Sequence, residues 1–270
     1  MSDYPLGDLD AGLMDRLLAL AEDTAAHILS VYRREYGVRE KPDRTPVTEA
    51  DLLAHRALLA GLDVIAPGTP VISEEETPVP FAERQRWREY WLIDPLDGTR
   101  EFIRGNGEFS INIALIRAGE PVLGVVHLPA SGTSYYAWRG TGAHRRPRSG
   151  PAVPIRTRRG SPAAPVVAVS RSRRGPRLHR FLNNLGPHET VILGSSLKTC
   201  LVAEGRADLY PCFGPTSEWD TAAPQCILEE AGGRITDLAM RPLRYNTREK
   251  LLNPPFFAFG ERGRDWSKYI

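Results

Sequence analysis

A short apolar run followed by two closely spaced acids constrains this chain more than any other stretch. Residues 91–93 are typical of the end of a buried strand, and Asp94 and Asp97 follow them three residues apart. Pro95 and Gly98 predict that the backbone leaves the strand here in a tight turn, so that both carboxylates project from one corner. Carboxylates held so close repel each other unless they share a proton or bind a cation. We expect a hard divalent metal ion at this corner.

The size and charge of the chain argue against several classes of function. With 270 residues it is long enough to bury a sizeable core, as one large domain or two modest ones. Its 35 basic and 33 acidic residues nearly balance, which argues against a nucleic-acid-binding protein. The sequence has no run of 18 apolar residues, so we expect no integral membrane segment.

The cysteines and the N-terminal residues favour the cytoplasm. Cys200, Cys212 and Cys226 are odd in number and lack the paired spacing of metal-binding cysteines. Neither a disulfide framework nor a zinc cluster is therefore predicted, which fits a reducing compartment. Residues 1–10 contain acids and no apolar core of the signal-peptide type. We expect a cytoplasmic protein.

Hydrophobic periodicity predicts helices and strands in both halves. Apolar side chains recur at helical spacing over residues 13–31, and a second helix is predicted to begin near Thr48, with Asp51 completing a capping box. The runs 109–116 and 121–128 predict a hairpin, and the later alternation of strands and helices predicts an α/β second half. The remaining predicted strands are residues 71–72, 135–138, 166–169, 190–193 and 207–210, and the remaining helices are residues 176–185, 196–204 and 220–230.

Residues 139–165 interrupt this pattern with many Gly, Pro and Arg residues and few large apolar ones. We interpret them as an exposed loop and a linker between two subdomains. The expected organisation is an N-terminal α+β metal-binding subdomain, residues 1–155, and a C-terminal α/β subdomain, residues 156–270, that completes the metal and substrate site. The arginine-rich part of the interruption, residues 145–159, matches no motif.

Further acids can complete a metal site with Asp94 and Asp97. Glu74 follows a short predicted strand, and Asp220 lies where a helix is predicted to begin. Mg²⁺ prefers oxygen ligands, and ions held between such carboxylates activate water and stabilise the leaving oxygen in phosphoryl transfer. Taken singly, each acid is also typical of a turn cap, a helix cap or a solvated side chain, but their joint occurrence favours a site. Three further side chains are placed to orient the attacking water, namely Asp51, Glu75 and Thr99.

These acids lie in longer motifs that resemble a known family. Residues 94–99 (Asp-Pro-Leu-Asp-Gly-Thr) and 219–223 (Trp-Asp-Thr-Ala-Ala), with 231–233, are similar to the two signatures of the lithium-sensitive, magnesium-dependent inositol monophosphatase superfamily. The resemblance implies a layered αβαβα sandwich, of mixed α+β and α/β type, as in inositol monophosphatase and fructose-1,6-bisphosphatase. Its N-terminal pattern is matched by residues 41–43, 45–51 and 72–75, so the resemblance covers nearly the whole chain.

The resemblance also implies a cofactor and a ligand set. Two or three Mg²⁺ ions would serve as the cofactor, and Li⁺ would inhibit by replacing one of them. The implied metal ligands are Glu74, Asp94, the carbonyl group of Leu96, Asp97 and Asp220, and the attacking water would lie among Asp51, Glu75 and Thr99.

Within the superfamily the chain is most similar to the bacterial 3′(2′),5′-bisphosphate nucleotidases. This branch implies hydrolysis of the 3′-phosphate of adenosine 3′,5′-bisphosphate to AMP and phosphate, with the 5′-phosphosulfate form as a further substrate. The similar positions are Leu96 and residues 100–102, 106–109, 170–172, 194–198 and 210–216.

The substrate side of the site is predicted from a helix N-terminus. Residues 194–196 precede a helix whose N–H groups can hold a phosphate, with Lys198 and Ser170 nearby, although a plain helix cap explains the serines equally well. Arg171 and Arg173 are candidates for binding a second phosphate, or ordinary surface arginines. The predicted substrate-binding residues are Gly98, Thr99, Ser170, Gly194, Ser195, Ser196, Lys198 and Asp220.

Two alternatives remain open from the sequence. A phosphatase of the same fold could act on inositol 1-phosphate, fructose bisphosphate or a biosynthetic phosphorylated nucleoside, because the fold leaves substrate choice to loop detail. A catalytically silent nucleotide-binding protein is disfavoured, because every acid needed for the chemistry is present. The expected partner is a small phosphorylated nucleotide, with no nucleic acid, and the protein is expected to be a monomer or a homodimer.

Overall fold

The structure, a computed structural model, describes residues 8–32, 38–40, 46–77, 79–160, 163–172, 175–260 and 264–270. Residues used in the sequence analysis that lie outside this part of the chain are 1–7, 41–43, Thr45, 161–162 and Arg173. No helix in the described part combines the length and the apolar character that a membrane span requires.

The described residues form helices and strands whose ends differ from the predicted ones by at most two residues, except for the strand that carries the paired acids. The helices are α1 (Ala11–Tyr32), α2 (Glu49–Ile65), α3 (Phe81–Arg84), α4 (Thr99–Ile103), α5 (Pro176–Leu185), α6 (Leu197–Ala203) and α7 (Glu218–Glu230), with a final 3₁₀ helix (Trp266–Tyr269). The strands are β1 (Val38–Glu40), β2 (Pro46–Thr48), β3 (Val71–Ser73), β4 (Glu89–Asp97), β5 (Ser110–Arg117), β6 (Glu120–Leu128), β7 (Thr133–Trp138), β8 (Ala143–Arg146), β9 (Val153–Ile155), β10 (Val166–Ser170), β11 (Glu189–Leu193), β12 (Leu209–Cys212), β13 (Arg234–Asp237) and β14 (Phe256–Phe259).

Strands β3 to β9 form one seven-stranded sheet in chain order. β3 and β4 run parallel, and the other neighbouring pairs are antiparallel. The predicted hairpin is confirmed, because β5 and β6 are joined by Ala118 and Gly119, whose φ angles of 50° and 76° are those of a type I′ turn.

Helices α1 and α2 cover one face of this sheet, where their buried side chains share a core with Trp91 and Ile93. The predicted capping box at the start of α2 is confirmed. Thr48 Oγ1 accepts a hydrogen bond from the Ala50 N–H, and Asp51 Oδ2 accepts one of 2.7 Å from the Thr48 N–H. The start of α2 is therefore fixed by its own side chains.

The other face of the sheet packs on α6 and α7, which lie between two sheets. Tyr90 of β4 shares a core with Ala222 of α7 and with Phe256 of β14. The second sheet has the strand order β11-β10-β12-β14-β13. Its far face packs on α5 and the 3₁₀ helix through Phe181 and Trp266. The layers are helix, sheet, helix, sheet and helix, which confirms the expected αβαβα sandwich.

The strand that carries the paired acids extends further than predicted. We expected Pro95 to end it after residue 93, but β4 continues to Asp97, and Gly98 follows with a φ angle of 93°. Pro95 is tolerated because the ladder between β4 and β5 is interrupted at that point. A Cβ atom on Gly98 would lie 3.1 Å from the carbonyl oxygen of Glu108, so both conformation and space favour glycine here.

The interruption is a bulge that turns both acids to the same face of the sheet. Asp94 is paired with Asn112, and Asp97 with Ser110, so β4 has one residue more than β5 between the two pairs. Residues three apart point to opposite faces of a regular strand, whereas residues two apart point to the same face. The extra residue therefore turns Asp97 to the face of Asp94, toward α6 and α7.

The interpretation of residues 139–165 as loop and linker is wrong in part, because they contain β8 and β9 at the edge of the first sheet. These strands have four and three residues, and their Gly-, Pro- and Arg-rich surroundings gave no strand pattern. Arg145 of β8 pairs with Glu204 at 3.6 Å, and Arg158 pairs with Asp208 at 3.1 Å, so the arginine-rich segment connects to the second half of the chain. The division into subdomains after residue 155 stays a prediction.

Candidate active site

The Asp94 carboxylate is buried at the bulge in β4. Its Oδ1 accepts a hydrogen bond of 3.0 Å from the Leu96 N–H, and its Oδ2 has no hydrogen-bond partner among the described residues. Burial raises the pKa of this carboxyl well above its usual value, and the charges of Glu74, Asp97 and Asp220 raise it further. A bound cation would stabilise the ionised form of such a carboxyl.

Glu74, Asp94 and Asp220 converge although they come from three different elements. Each offers one carboxylate oxygen, and these oxygens lie within 4.8 Å of one another. Glu74 follows β3, the parallel neighbour of β4, and Asp220 lies in the first turn of α7. Asp220 Oδ2 accepts a hydrogen bond of 2.9 Å from the Ser217 N–H in a capping box, which fixes the carboxylate at the helix end. A cluster of carboxylate oxygens fits Mg²⁺.

Asp97 and Leu96 line the same cleft as these three acids. Asp97 Oδ2 accepts a hydrogen bond of 2.7 Å from Ser196 Oγ. The Leu96 carbonyl oxygen lies 3.3 Å from Thr99 Oγ1. Asp97 therefore resembles Asp94 in that the protein engages one of its carboxylate oxygens.

Thr99 and Asp51 form a hydrogen-bonded pair beside this cluster. Thr99 Oγ1 donates to Asp51 Oδ1 at 3.1 Å. Asp51 Oδ2 accepts from the N–H and the hydroxyl group of Thr48, at 2.7 and 2.6 Å, so the carboxylate is held in one orientation. Thr99 lines the cleft, and the buried Asp51 contacts Thr99 from the side away from the cleft. A hydroxyl that donates to a fixed carboxylate keeps its lone pairs for a water molecule.

Glu75, the third residue assigned to the attacking water, lies outside the cleft wall, which includes the residues on either side of it. Its N–H donates to Ser73 Oγ at 3.3 Å, and Ser73 Oγ lies 2.9 Å from His55 Nδ1. The charge of Glu75 contributes to the raised pKa of Asp94, so the two carboxyl groups are near each other. The role of Glu75 toward water stays a prediction.

The cleft has a volume of about 520 Å³, which suits a small-molecule ligand. One part of its wall is polar and carries the acids, and another part is formed by Tyr210, Trp219, Leu252 and Phe256. The predicted substrate-binding residues all line it, namely Gly98, Thr99, Ser170, Gly194, Ser195, Ser196, Lys198 and Asp220.

The backbone N–H of Gly194, which precedes the helix predicted to hold a phosphate, has a partner within the protein. The Gly194 N–H donates to Glu108 Oε2 at 2.8 Å, so in this structure it is not available to a phosphate. Glu108 also accepts two hydrogen bonds from Arg171, of 2.9 and 2.5 Å, which neutralise the arginine considered for a second phosphate. Glu108, which was not predicted, thus holds two of the proposed anion-binding groups.

The polar residues that follow Gly194 have partners within the protein. Ser196 immediately precedes α6 but makes no capping hydrogen bond with its side chain, and its hydroxyl lies against Asp97 instead. Ser195 Oγ accepts a long hydrogen bond of 3.4 Å from the Leu197 N–H. Lys198 Nζ donates to the Ser195 carbonyl oxygen and lies 5.0 Å from the centre of the Tyr210 ring. A plain helix cap therefore does not account for Ser196.

Sequence reasoning missed Ser110, Asn112 and Glu108. Ser110 and Asn112 alternate with Ile111 and Ile113 on β5, and two polar residues on one face of a buried strand are a signal for a polar site. Glu108 precedes the strand and lies in residues 106–109, one of the runs similar to the bisphosphate nucleotidases. The structure alone identifies its contacts with Gly194 and Arg171.

Glu218 lies beside Trp219 but does not line the cleft. It is fully buried, and its Oε2 accepts a hydrogen bond of 2.8 Å from the Asn246 N–H. Burial raises the pKa of Glu218 to about 7. This acid belongs to the packing behind α7.

Comparison with known proteins agrees with this geometry. Residues 13–259 match the profile of the inositol monophosphatase family. The chain is 45% identical over 246 residues to the 3′(2′),5′-bisphosphate nucleotidase CysQ of Escherichia coli K12, covering 90% of this chain and 98% of that protein. It is 39% identical to the protein of the same name from Haemophilus influenzae, covering 96% of both. Among solved structures, CysQ from Bacteroides thetaiotaomicron superposes with a TM-score of 0.80 at 36% identity, over 93% of this chain and 99% of that one.

Proposed function

The chain belongs to the inositol monophosphatase family, and we propose that it is a Mg²⁺-dependent phosphomonoesterase that hydrolyses the 3′-phosphate of adenosine 3′,5′-bisphosphate to AMP and phosphate. The observation that carries the chemistry is the convergence of Glu74, Asp94 and Asp220 next to the hydrogen-bonded pair of Thr99 and Asp51. The choice of substrate is supported by the relatives that bear the name 3′(2′),5′-bisphosphate nucleotidase. The 5′-phosphosulfate form of the nucleotide is proposed as a further substrate.

Mg²⁺, as two or three ions, is the proposed cofactor. The buried Asp94 Oδ2, which has no hydrogen-bond partner among the described residues, and the all-oxygen donor set fit such a cation. When bound, it supplies Lewis-acid chemistry that neutralises charge on the phosphoryl group and makes water a stronger nucleophile. The proposed ligands are Glu74, Asp94, the carbonyl group of Leu96, Asp97 and Asp220.

Thr99 and Asp51 are proposed to move the proton of the attacking water. Asp51 receives the hydrogen bond of Thr99, so the Thr99 oxygen can take a proton from water while its own proton passes to Asp51. The water oxygen then forms the new bond to phosphorus, and the bond between phosphorus and ribose O3′ breaks. The O3′ oxygen leaves with a proton from solvent. Glu75 is proposed to orient the same water from the neighbouring loop.

The cleft walls support a nucleotide as the ligand. Tyr210 and Trp219 provide apolar and aromatic surface for a base or ribose, and Lys198 and Ser170 provide polar groups for a phosphate. A cytoplasmic location is part of the proposal, because the three cysteines are buried thiols. A monomer or a homodimer is proposed, without nucleic acid as a partner.

Phosphate release from a panel of substrates tests the proposal. We expect Mg²⁺-dependent turnover of adenosine 3′,5′-bisphosphate to exceed turnover of the 2′,5′-bisphosphate, inositol 1-phosphate and fructose 1,6-bisphosphate. Efficient turnover of inositol 1-phosphate or fructose 1,6-bisphosphate with none of the bisphosphate nucleotide would overturn the substrate assignment. Binding of the nucleotide without any phosphate release would instead identify a silent binding protein.

A further inference from the structure

The Ser196 hydroxyl group stands at the junction of the elements that carry the acids. Its Oγ lies 2.7 Å from Asp97 Oδ2, 2.9 Å from Asn112 Nδ2 and 3.2 Å from the Asp220 carbonyl oxygen. These partners belong to β4, β5 and α7, while Ser196 itself precedes α6. One buried hydroxyl group therefore joins both sheet strands of the site to the helices between the sheets.

Asn112 determines which way the Ser196 proton points. The fully buried Asn112 amide donates from Nδ2 to Ser196 Oγ, and the same Nδ2 lies 3.5 Å from the Trp219 carbonyl oxygen, which can only accept. Ser110 Oγ lies 3.3 Å from Asn112 Oδ1 and 3.4 Å from Asp97 Oδ2 and can donate its one proton to either of them. A hydroxyl group has a single proton to donate. Because the Ser196 oxygen accepts a hydrogen bond from Asn112, Ser196 can donate its own proton to another group. The nearest acceptor, and the charged one, is Asp97 Oδ2.

The helix α7 contributes through Pro224. In an α-helix the N–H of residue 224 would bond to the carbonyl oxygen of residue 220, but proline has no N–H. The Asp220 carbonyl oxygen is left without that bond, and Ser196 Oγ lies 3.2 Å from it. The proline thereby lets Ser196 Oγ approach α7 closely, but with the Ser196 proton given to Asp97 this approach is not a hydrogen bond.

We propose that Asn112 and Ser196 form a positioning pair, which holds Asp97 so that it offers a single oxygen, Oδ1, to the cation. Neither residue is one of the proposed metal ligands, and both act through Asp97. The inference rests on the metal site of the proposed function, and it changes the role of Ser196 from a substrate contact to a positioning residue.

Direct metal binding to the full chain tests the pair without any substrate. The probe is Mn²⁺, with the free ion measured by electron paramagnetic resonance. We expect Ser196→Ala and Asn112→Ala each to weaken Mn²⁺ binding about 10-fold, as is usual when a residue that orients a metal ligand is removed. The double variant is expected to bind Mn²⁺ as tightly as either single variant, because the two residues act as one unit. Ser196→Thr, which keeps the hydroxyl group, is expected to restore most of the affinity.

Ser134→Ala is the matched control. Ser134 is also a fully buried serine with a hydrogen bond, 2.8 Å from His127 Nδ1, but it does not line the cleft. This variant is expected to lose stability without losing Mn²⁺ affinity. Thermal unfolding of every variant separates lost folding from lost positioning, and the threonine variant keeps the test valid where Ser196→Ala unfolds.

Three results would overturn the inference. The first is an unchanged Mn²⁺ affinity in Ser196→Ala. The second is a loss of Mn²⁺ affinity, when Ser196→Ala is added to the Asp97→Asn variant, as large as the loss in the wild-type protein, since the pair must act through Asp97. The third is a raised KM for the bisphosphate with unchanged Mn²⁺ binding, which would return Ser196 to the substrate. A protein that binds Mn²⁺ as expected but releases no phosphate would overturn the proposed function and leave the positioning pair in place.

Discussion

Thr99 Oγ1 lies 3.1 Å from Asp51 Oδ1, although 48 residues separate the two in the chain. Asp51 belongs to the capping box of α2, and Thr99 begins α4 directly after the bulged strand. The helix cap fixes one carboxylate oxygen and leaves the other for the cleft-lining hydroxyl. A local stabilising motif thus also orients a group that the proposed reaction needs.

Replacement of Thr99 by alanine is expected to lower kcat by about 10²–10⁴-fold, which is the usual contribution of positioned proton transfer. Mn²⁺ affinity should change little, because the hydroxyl group is proposed to contact water. Thr99→Ser keeps the hydroxyl group and should retain most of the rate. Steady-state kinetics with the bisphosphate measure the effect, and a Thr99→Ala protein with the rate of the wild type would remove Thr99 from the mechanism.

Asp94→Asn is expected to lower Mg²⁺-dependent phosphate release on the order of 10³-fold, the scale for losing a group that supports charge in the transition state. With metal chelated, this variant should be at least as stable as the wild-type protein, because a neutral amide cannot carry the charge that burial and the neighbouring acids oppose at this position. Thermal unfolding with EDTA and with Mg²⁺ measures both effects. An undiminished Mg²⁺-induced rise in Tm in Asp94→Asn would show that Asp94 is not a ligand.

His127 is expected to make the folded protein sensitive to acid. It is buried beside Ser134, and burial, with the charges of Arg146 and Arg148, lowers its pKa from 6.5 to about 4. The unfolded chain therefore takes up a proton below pH 6.5 that the folded chain takes up only near pH 4. The free energy of unfolding should fall over this window as the pH is lowered, by about 3 kcal/mol at pH 4.

Denaturant unfolding of His127→Asn at pH 7 and pH 4.5 measures this contribution. The variant should lose less stability than the wild-type protein between the two pH values. The control is His27→Asn at an exposed position of α1, which should keep the pH dependence of the wild type. An equal loss of unfolding free energy between pH 7 and pH 4.5 in all three proteins would exclude His127 as the source of the acid sensitivity.

Gly124→Ala is expected to destabilise the protein by about 1–3 kcal/mol, as overpacking does. A Cβ atom at this position of β6 would clash with the backbone of Ala223 in α7, and backbone atoms cannot move aside as a side chain can. Because α7 carries Asp220, the variant should also bind Mn²⁺ more weakly. Gly175→Ala, where a Cβ would meet no atom within 4 Å, is the matched control for unfolding. Equal unfolding free energies in both variants would contradict the proposed clash.

Much of the fold could be predicted because its elements have local causes. The capping box of α2 needs only Thr48 and Asp51, and the hairpin turn needs only two neighbouring residues that accept positive φ angles. β13 and β14 were not predicted. β14 is inserted between β12 and β13, and this non-sequential pairing leaves no mark on local periodicity.

The sequence by itself determined the chemistry of the site, because the acids, Thr99 and their motif spacing are properties of the chain. The tertiary structure decided which atoms of the site residues form hydrogen bonds within the protein. The bulge in β4 turns Asp97 to the side of Asp94, Glu108 accepts a hydrogen bond from the N–H of Gly194, a predicted substrate-binding residue, and Ser196 bonds to Asp97. The physical reason is that a hydrogen bond depends on distance and direction, and for residues from separate elements both are set only when the two sheets and the helices between them pack.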